Sequence, residues 1–192
     1  MSRPFDMPAG LTPEAQQELE RWDAERQEHV SEIKKIPLRI LVWGPGTASS
    51  SPVAQKRIAI RDALVAEGFL AVFSEIWKDA APGLSQKTNE LTQALGAKLI
   101  LILIEDSPGG LGEMHDFSGH EDIIKVMYVM SPRRYSGGYS LQGAGAILDR
   151  LGNLHLYEDG DIASCSVLSR ALERAYALRE IAAYRKLQSK VH

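Results

Sequence analysis

The chain has 192 residues, 44% hydrophobic and 24% charged, with a formal net charge of −3. That length fits one domain with an appended element, and the small negative charge gives no electrostatic footprint for nucleic acid or an anionic membrane. The lone cysteine, Cys165, excludes an internal disulfide and a cysteine-based metal site. The first residues lack the apolar core of a signal peptide, and no apolar run approaches the roughly 20 residues of a membrane span, so the expected location is the cytoplasm.

Residues 1–36 read as a Pro- and Gly-containing tail followed by a charged helix. Thr12, Pro13 and Glu14 supply an N-cap, an N1 proline and an acidic first turn. Leu19, Trp22, Val30 and Ile33 form one narrow apolar stripe, suited either to a surface helix or to a dimerisation helix. Residues 37–192 read as a single α/β domain. Leu38–Trp43 is the first strand, the small-residue loop Gly44–Ser51 follows, and a helix runs from Pro52 to Glu67, closed by Gly68. Phe69–Ser74 is the second strand. After a turn-rich connection, Gln86–Leu95 is a helix closed by Gly96, and Lys98–Ile104 is a near-continuous apolar strand of the kind buried on both faces. Ile123–Met130 reads as the fourth strand, Ser131–Ser140 as a polar loop and Asn153–Tyr157 as the fifth strand. A long C-terminal helix is capped by Ser164 or Ser166. The expected fold is a doubly wound, five-stranded parallel sheet of flavodoxin or Rossmann type, order 2-1-3-4-5, with an extra N-terminal helix. Its topological switch lies between strands one and three, where ligands bind beyond the carboxyl ends of the strands.

Two loops meet at that switch. In the first, Gly44, Pro45, Gly46, Thr47 and Ser49 precede a helix N-terminus, where backbone N–H groups and the helix dipole favour an anion. The pattern is neither a Walker loop nor the G-x-G-x-x-G fingerprint, and a plain strand-to-helix turn is the alternative. Arg57 falls on the apolar stripe of the next helix; it either snorkels to solvent, faces substrate or pairs with a carboxylate. In the second loop Asp106, Ser107, Gly109 and Gly110 lead to Glu113, expected at the start of the following helix with its ionised form favoured by the dipole. Asp116 lies three residues further on, a third site carboxylate or a surface group. Paired carboxyls suit cleavage of a glycosidic bond. Asp106 alternatively only forms the turn before Pro108. Arg134 and Tyr135, in the loop after the fourth strand, are placed to hold a phosphate and stack on a base. His115 and His120 do not share a helical face, so no metal or other cofactor is expected.

The run Asp106-Ser-Pro-Gly-Gly-Leu-Gly-Glu113-Met-His-Asp-Phe117 resembles the acidic, glycine-containing loop of nucleoside 2-deoxyribosyltransferases. It is also similar to the P-G-G-x-G-T-x-x-E loop of lysine-decarboxylase-like phosphoribohydrolases, without the Thr and with a different spacing to Glu. Val42-Trp-Gly-Pro-Gly46, with Lys56-Arg57-x-x-Ile60-Arg61 and Phe73-Ser74-Glu75, resembles nucleotide-processing and sensing domains of bacterial anti-phage systems that share this fold. The resemblance implies N-glycosidic chemistry on a nucleoside or nucleotide, with Glu113 as nucleophile and Asp106 as an acid or substrate-positioning group. A homo-oligomer through the terminal helices is the expected assembly. The rival reading is a nucleotide-signal sensor that binds without turnover.

Overall fold

The computed structural model describes residues 10–77, 83–105 and 108–188. The chain falls into two compact units, Pro37–Leu178 and the pair of segments Met1–Ile36 and Arg179–His192. In the terminal unit, α1 (Pro13–Lys34) is capped by Thr12, whose hydroxyl accepts from Ala15 N. None of its residues is buried, and Trp22 is 66% exposed.

The larger unit alternates strand and helix. β1 (Arg39–Trp43) leads to α2 (Pro52–Ala66), and β2 (Leu70–Val72) to a 3-10 turn at Ser74–Trp77. Next come α3 (Gln86–Gly96), β3 (Leu99–Leu103), α4 (Pro108–Ser118), α5 (Glu121–Ile124) and β4 (Met127–Pro132). A 3-10 turn at Arg133–Tyr135 precedes α6 (Tyr139–Gln142), α7 (Ala144–Arg150), β5 (Leu154–Tyr157), α8 (Asp159–Ala163) and α9 (Ser166–Gln188), the last ending in the terminal unit. The five strands form one parallel sheet in the order β2-β1-β3-β4-β5, as the strand–helix alternation predicts. No helix among the described residues is long and apolar enough to cross a membrane.

The register explains the core. Leu41 and Trp43 share a sheet face with Ile100, Ile102, Met127 and Val129, and pack with Ala94, Met114, Phe117, Ile123 and Leu148 from the helices on that side. Trp43 and Phe117 approach with ring centroids 5.1 Å apart, tilted by 35°. Alternate residues of β1 and β3 point to the opposite face, and every residue of β3 is buried.

Several boundaries differ from expectation, each for a local reason. β2 is only three residues long, because the chain leaves the strand into the 3-10 turn at Ser74 that brings the Glu75 carboxylate onto Arg57. Gly96 belongs to α3, whose cap is Ala97 in extended conformation; Gly68, at φ +78, is the left-handed terminator expected after α2. The apolar run from Ile123 is split, with Ile123 and Ile124 on α5 and the strand starting at Met127. Arg133–Tyr135 is a helical turn within the segment expected to be a loop, and α6 begins at Tyr139, just before that segment's expected end at Ser140.

The two loops at the switch are brought together by glycine. At Gly44, φ is +139 and an added Cβ would stand 2.5 Å from the carbonyl oxygen of Leu103, the last residue of β3. At Gly110 an added Cβ would stand 3.3 Å from the same oxygen. Gly44 admits no side chain at this approach, and at Gly110 a Cβ would fit only if its neighbour gave by a few tenths of an ångström. Gly44→Ala is expected to destabilise the fold by about 2–4 kcal/mol in urea unfolding. Gly46→Ala, where a Cβ meets nothing within 4 Å, should stay within about 1 kcal/mol of the wild type. Equal effects at the two positions would contradict this packing.

Candidate functional site

The C-terminal end of β1 is organised around Arg57. Its α2 position between the apolar residues Ala54 and Ile60 drives its stem inward, and the side chain is 1% exposed. Nε and Nη2 donate to Val42 O at 3.0 and 2.7 Å, and Nη1 donates to Pro45 O at 2.7 Å. Nη1 and Nη2 also form a fork on Glu75, reaching Oε1 at 2.6 Å and Oε2 at 2.7 Å. The guanidinium lies over the Phe73 ring, 4.5 Å from its centroid. Of the roles open from sequence, the structure selects carboxylate pairing: Arg57 neither snorkels nor presents a free donor fork to a ligand.

Glu75 was not singled out by sequence reasoning as a site residue. Burial pushes its carboxyl up, but hydrogen bonds from Arg57, its own backbone and Ser74, with the Arg57 charge, outweigh burial and hold it below its ordinary value. The available signals were an arginine on an apolar stripe, which needs a buried partner, and an acidic residue directly after a strand.

Glu113 behaves in the opposite way. α4 begins at Pro108, so Glu113 is the sixth helical residue, and no acidic residue occupies the first turn. The expectation of an ionised carboxylate favoured by the helix dipole is therefore corrected. The dipole acts only within the first turn, and Glu113 sits beyond it, facing inward one turn from Phe117. Its Oε2 is buried with no hydrogen-bond partner among the described residues. Burial above all, with the charges of Glu90 and Glu75, pushes its carboxyl up to about 8 against the opposing pull of Arg57.

A cavity of about 250 Å³ lies between the turn after β2 and α3, lined by Ser74, Glu75, Asn89, Glu90 and Gln93 among others. The Gln93 Oε1 and Trp43 Nε1 atoms are buried without a hydrogen-bond partner among the described residues. The crevice thus offers the ionised Glu75 carboxylate and amide groups suited to hydroxyl recognition, and two of its wall residues, Glu75 and Glu90, act electrostatically on Glu113.

The remaining candidates are distributed around this centre. Gly44 and Pro45 touch the Arg57 assembly directly. Gly46 and Thr47 are exposed at the loop tip. Ser49 Oγ accepts from Ser51 N at 3.2 Å, and Ser51 Oγ caps α2 by accepting from Ala54 N at 3.1 Å, so both hydroxyls already serve the turn. Gly110 packs on Leu103, and Gly109 lies in the first turn of α4. Asp106 and Ser107 lie outside the described residues. Asp116 accepts from Lys87 Nζ at 2.9 Å, a surface link between α3 and α4. Arg134 is paired with Asp159 and stacks at 5.0 Å on Tyr135. Neither Arg134 nor Asp116 shares a hydrogen bond with the Arg57 assembly among the described residues. No group of three or more His, Cys, Asp or Glu among the described residues is placed to hold a metal ion. No protein-family model and no curated protein matches the chain.

Two predictions follow from these charges. Because the folded protein keeps the Glu113 proton up to about pH 8 while the unfolded chain releases it in the ordinary carboxylate range, stability should fall as pH rises through that window. Glu113→Gln removes this titration. It should be more stable than the wild type by about 2–4 kcal/mol near pH 9 and nearly equal near pH 5, read from urea unfolding. A pH-independent difference would contradict the assignment. Arg57→Met keeps the stem but strands the Val42 and Pro45 carbonyls and the Glu75 carboxylate; a loss of about 3 kcal/mol is expected. Arg57→Lys, which cannot form the fork, should recover less than half of it.

Proposed function

We propose that this crevice cleaves the N-glycosidic bond of a nucleoside- or nucleotide-type substrate. The observation that carries the reading is a pair of electrostatically coupled carboxyls driven to opposite protonation states, Glu75 held ionised on the crevice wall and Glu113 held protonated up to about pH 8. Groups pushed apart in this way divide into acid and base. The position beyond the carboxyl end of β2 in a doubly wound sheet and the resemblance of the Asp106–Phe117 loop to nucleoside-processing enzymes point to the same class of substrate.

In this reading Glu113 is the general acid. It delivers its proton to a ring nitrogen of the departing base as the bond from that base to the anomeric carbon breaks. Positive charge then develops on the sugar, and the Glu75 carboxylate, fixed by Arg57, is the nearby anion that stabilises it. Water adds to the anomeric carbon, and the proton it loses returns to the Glu113 carboxylate, which restores the acid. A nucleophilic Glu113 would first have to surrender its proton, which costs free energy below about pH 8. General acid catalysis is therefore the role its environment favours. Asn89 and Gln93 supply amides to the sugar hydroxyls.

The test is incubation with a panel of nucleosides, nucleotides and nicotinamide dinucleotides, with product analysis by mass spectrometry. Wild-type protein should release free base from at least one of them, and kcat/KM should decline above about pH 8. Glu113→Gln should lower the rate on the order of a thousand-fold while remaining folded. Tight binding with the ligand recovered intact would make the domain a sensor, and wild-type turnover by Glu113→Gln would remove the proposed acid.

A further inference from the structure

A second cavity, about 500 Å³, lies on the sheet face between β2 and α3. Its walls are apolar: Leu41, Leu70 and Val72 from the strands, Ala97 just after α3. β2 is the edge strand, and Leu70 is 54% exposed there, a large aliphatic side chain left uncovered. The groove stays deep because Gly96 and Ala97, where α3 ends, carry almost no side chain. The volume falls within the roughly 300–1,000 Å³ typical of small-molecule pockets, which combine apolar walls with a few polar groups.

Its polar groups are asymmetrically placed. At one end lies Arg39, whose guanidinium passes close to Gly96; an added Cβ there would stand 3.7 Å from Nη1. Arg39 has no ion-pair partner among the described residues, in contrast to Arg57, Arg61, Arg133 and Arg134. At the other end Asn89 and Gln93 line this groove as well as the smaller crevice. The groove is thus an apolar slot with one uncommitted cation at its mouth.

We infer that this groove is a binding site for an amphipathic anion, an unbranched apolar chain bearing one carboxylate, with the chain along Leu41, Leu70 and Val72 and the carboxylate on Arg39. Apolar burial supplies most of the affinity, and the exposed ion pair sets the orientation. The site is separate from the glycosidic crevice but shares the Asn89 and Gln93 wall with it, and it does not depend on what that crevice catalyses.

Decanoate is the probe, titrated calorimetrically into the full chain. Saturable binding with a dissociation constant on the order of 100 µM or tighter is expected. Thr92→Trp, at an exposed position of the groove rim, should fill the slot and weaken binding at least about ten-fold with the fold intact by circular dichroism. Arg39→Gln should weaken decanoate about five-fold while leaving decanol unchanged. No binding at millimolar decanoate would overturn the inference, as would binding untouched by Thr92→Trp. Equal loss of decanoate and decanol in Arg39→Gln would remove Arg39 from the site.

Discussion

Arg57 brings a full positive charge into the interior at 1% exposure, and the C-terminal edge of the sheet is arranged to neutralise it. A buried guanidinium is tolerated only when its donors are met by well-placed acceptors. Here two backbone carbonyls at the end of β1 and both oxygens of Glu75 meet them. One side chain therefore pins the loop after β1, the start of the turn after β2 and the body of α2 to each other. The same carbonyl edge is closed from the β3 side, where Gly44 and Gly110 both lie against the Leu103 oxygen.

That arrangement fixes the electrostatics of the crevice. Because Arg57 is matched by Glu75, little positive charge remains for the next carboxyl inward. Glu113 then meets burial together with the charges of Glu90 and Glu75, and it retains its proton. The proposed acid follows from this order: the arginine selects which carboxylate is ionised, and the second carboxyl is left neutral. A buried carboxyl oxygen without a hydrogen-bond partner among the described residues is destabilising, and a strongly shifted titratable group is characteristic of sites kept for chemistry.

Much of the fold was legible because its signals are local. Thr12 before Pro13, Ser51 before Pro52 and Ser85 before Gln86 each cap a helix with a side-chain hydrogen bond, and the unbroken run Leu99–Leu103 marks a strand buried on both faces. The strand order is one of the common doubly wound arrangements for alternating strands and helices. Other features were hidden by chemistry that sequence does not display. Ile123 and Ile124 look like strand because a short apolar run reads alike on a buried helix and a buried strand. Pro108-Gly109-Gly110 look like loop, although proline suits the first helical position and Gly110 is needed against Leu103. For Glu113 the residue was legible and the sign of its shift was not, since that sign comes first from burial in the tertiary packing and then from Glu90 and Glu75, distant in sequence. Arg57 was visible as an anomaly on an apolar stripe, but its partner Glu75 emerges only when β2 is placed beside β1.

The central claim is that Glu113 holds its proton at neutral pH in the folded protein. A carbon NMR titration of glutamate side-chain carboxyls, with the Glu113 resonance assigned by its loss in Glu113→Gln, measures this directly. The structure predicts a midpoint of about 8 for Glu113. A midpoint near the ordinary glutamate value of about 4.3 would show an ionised Glu113 and contradict both the charge ordering and the proposed acid.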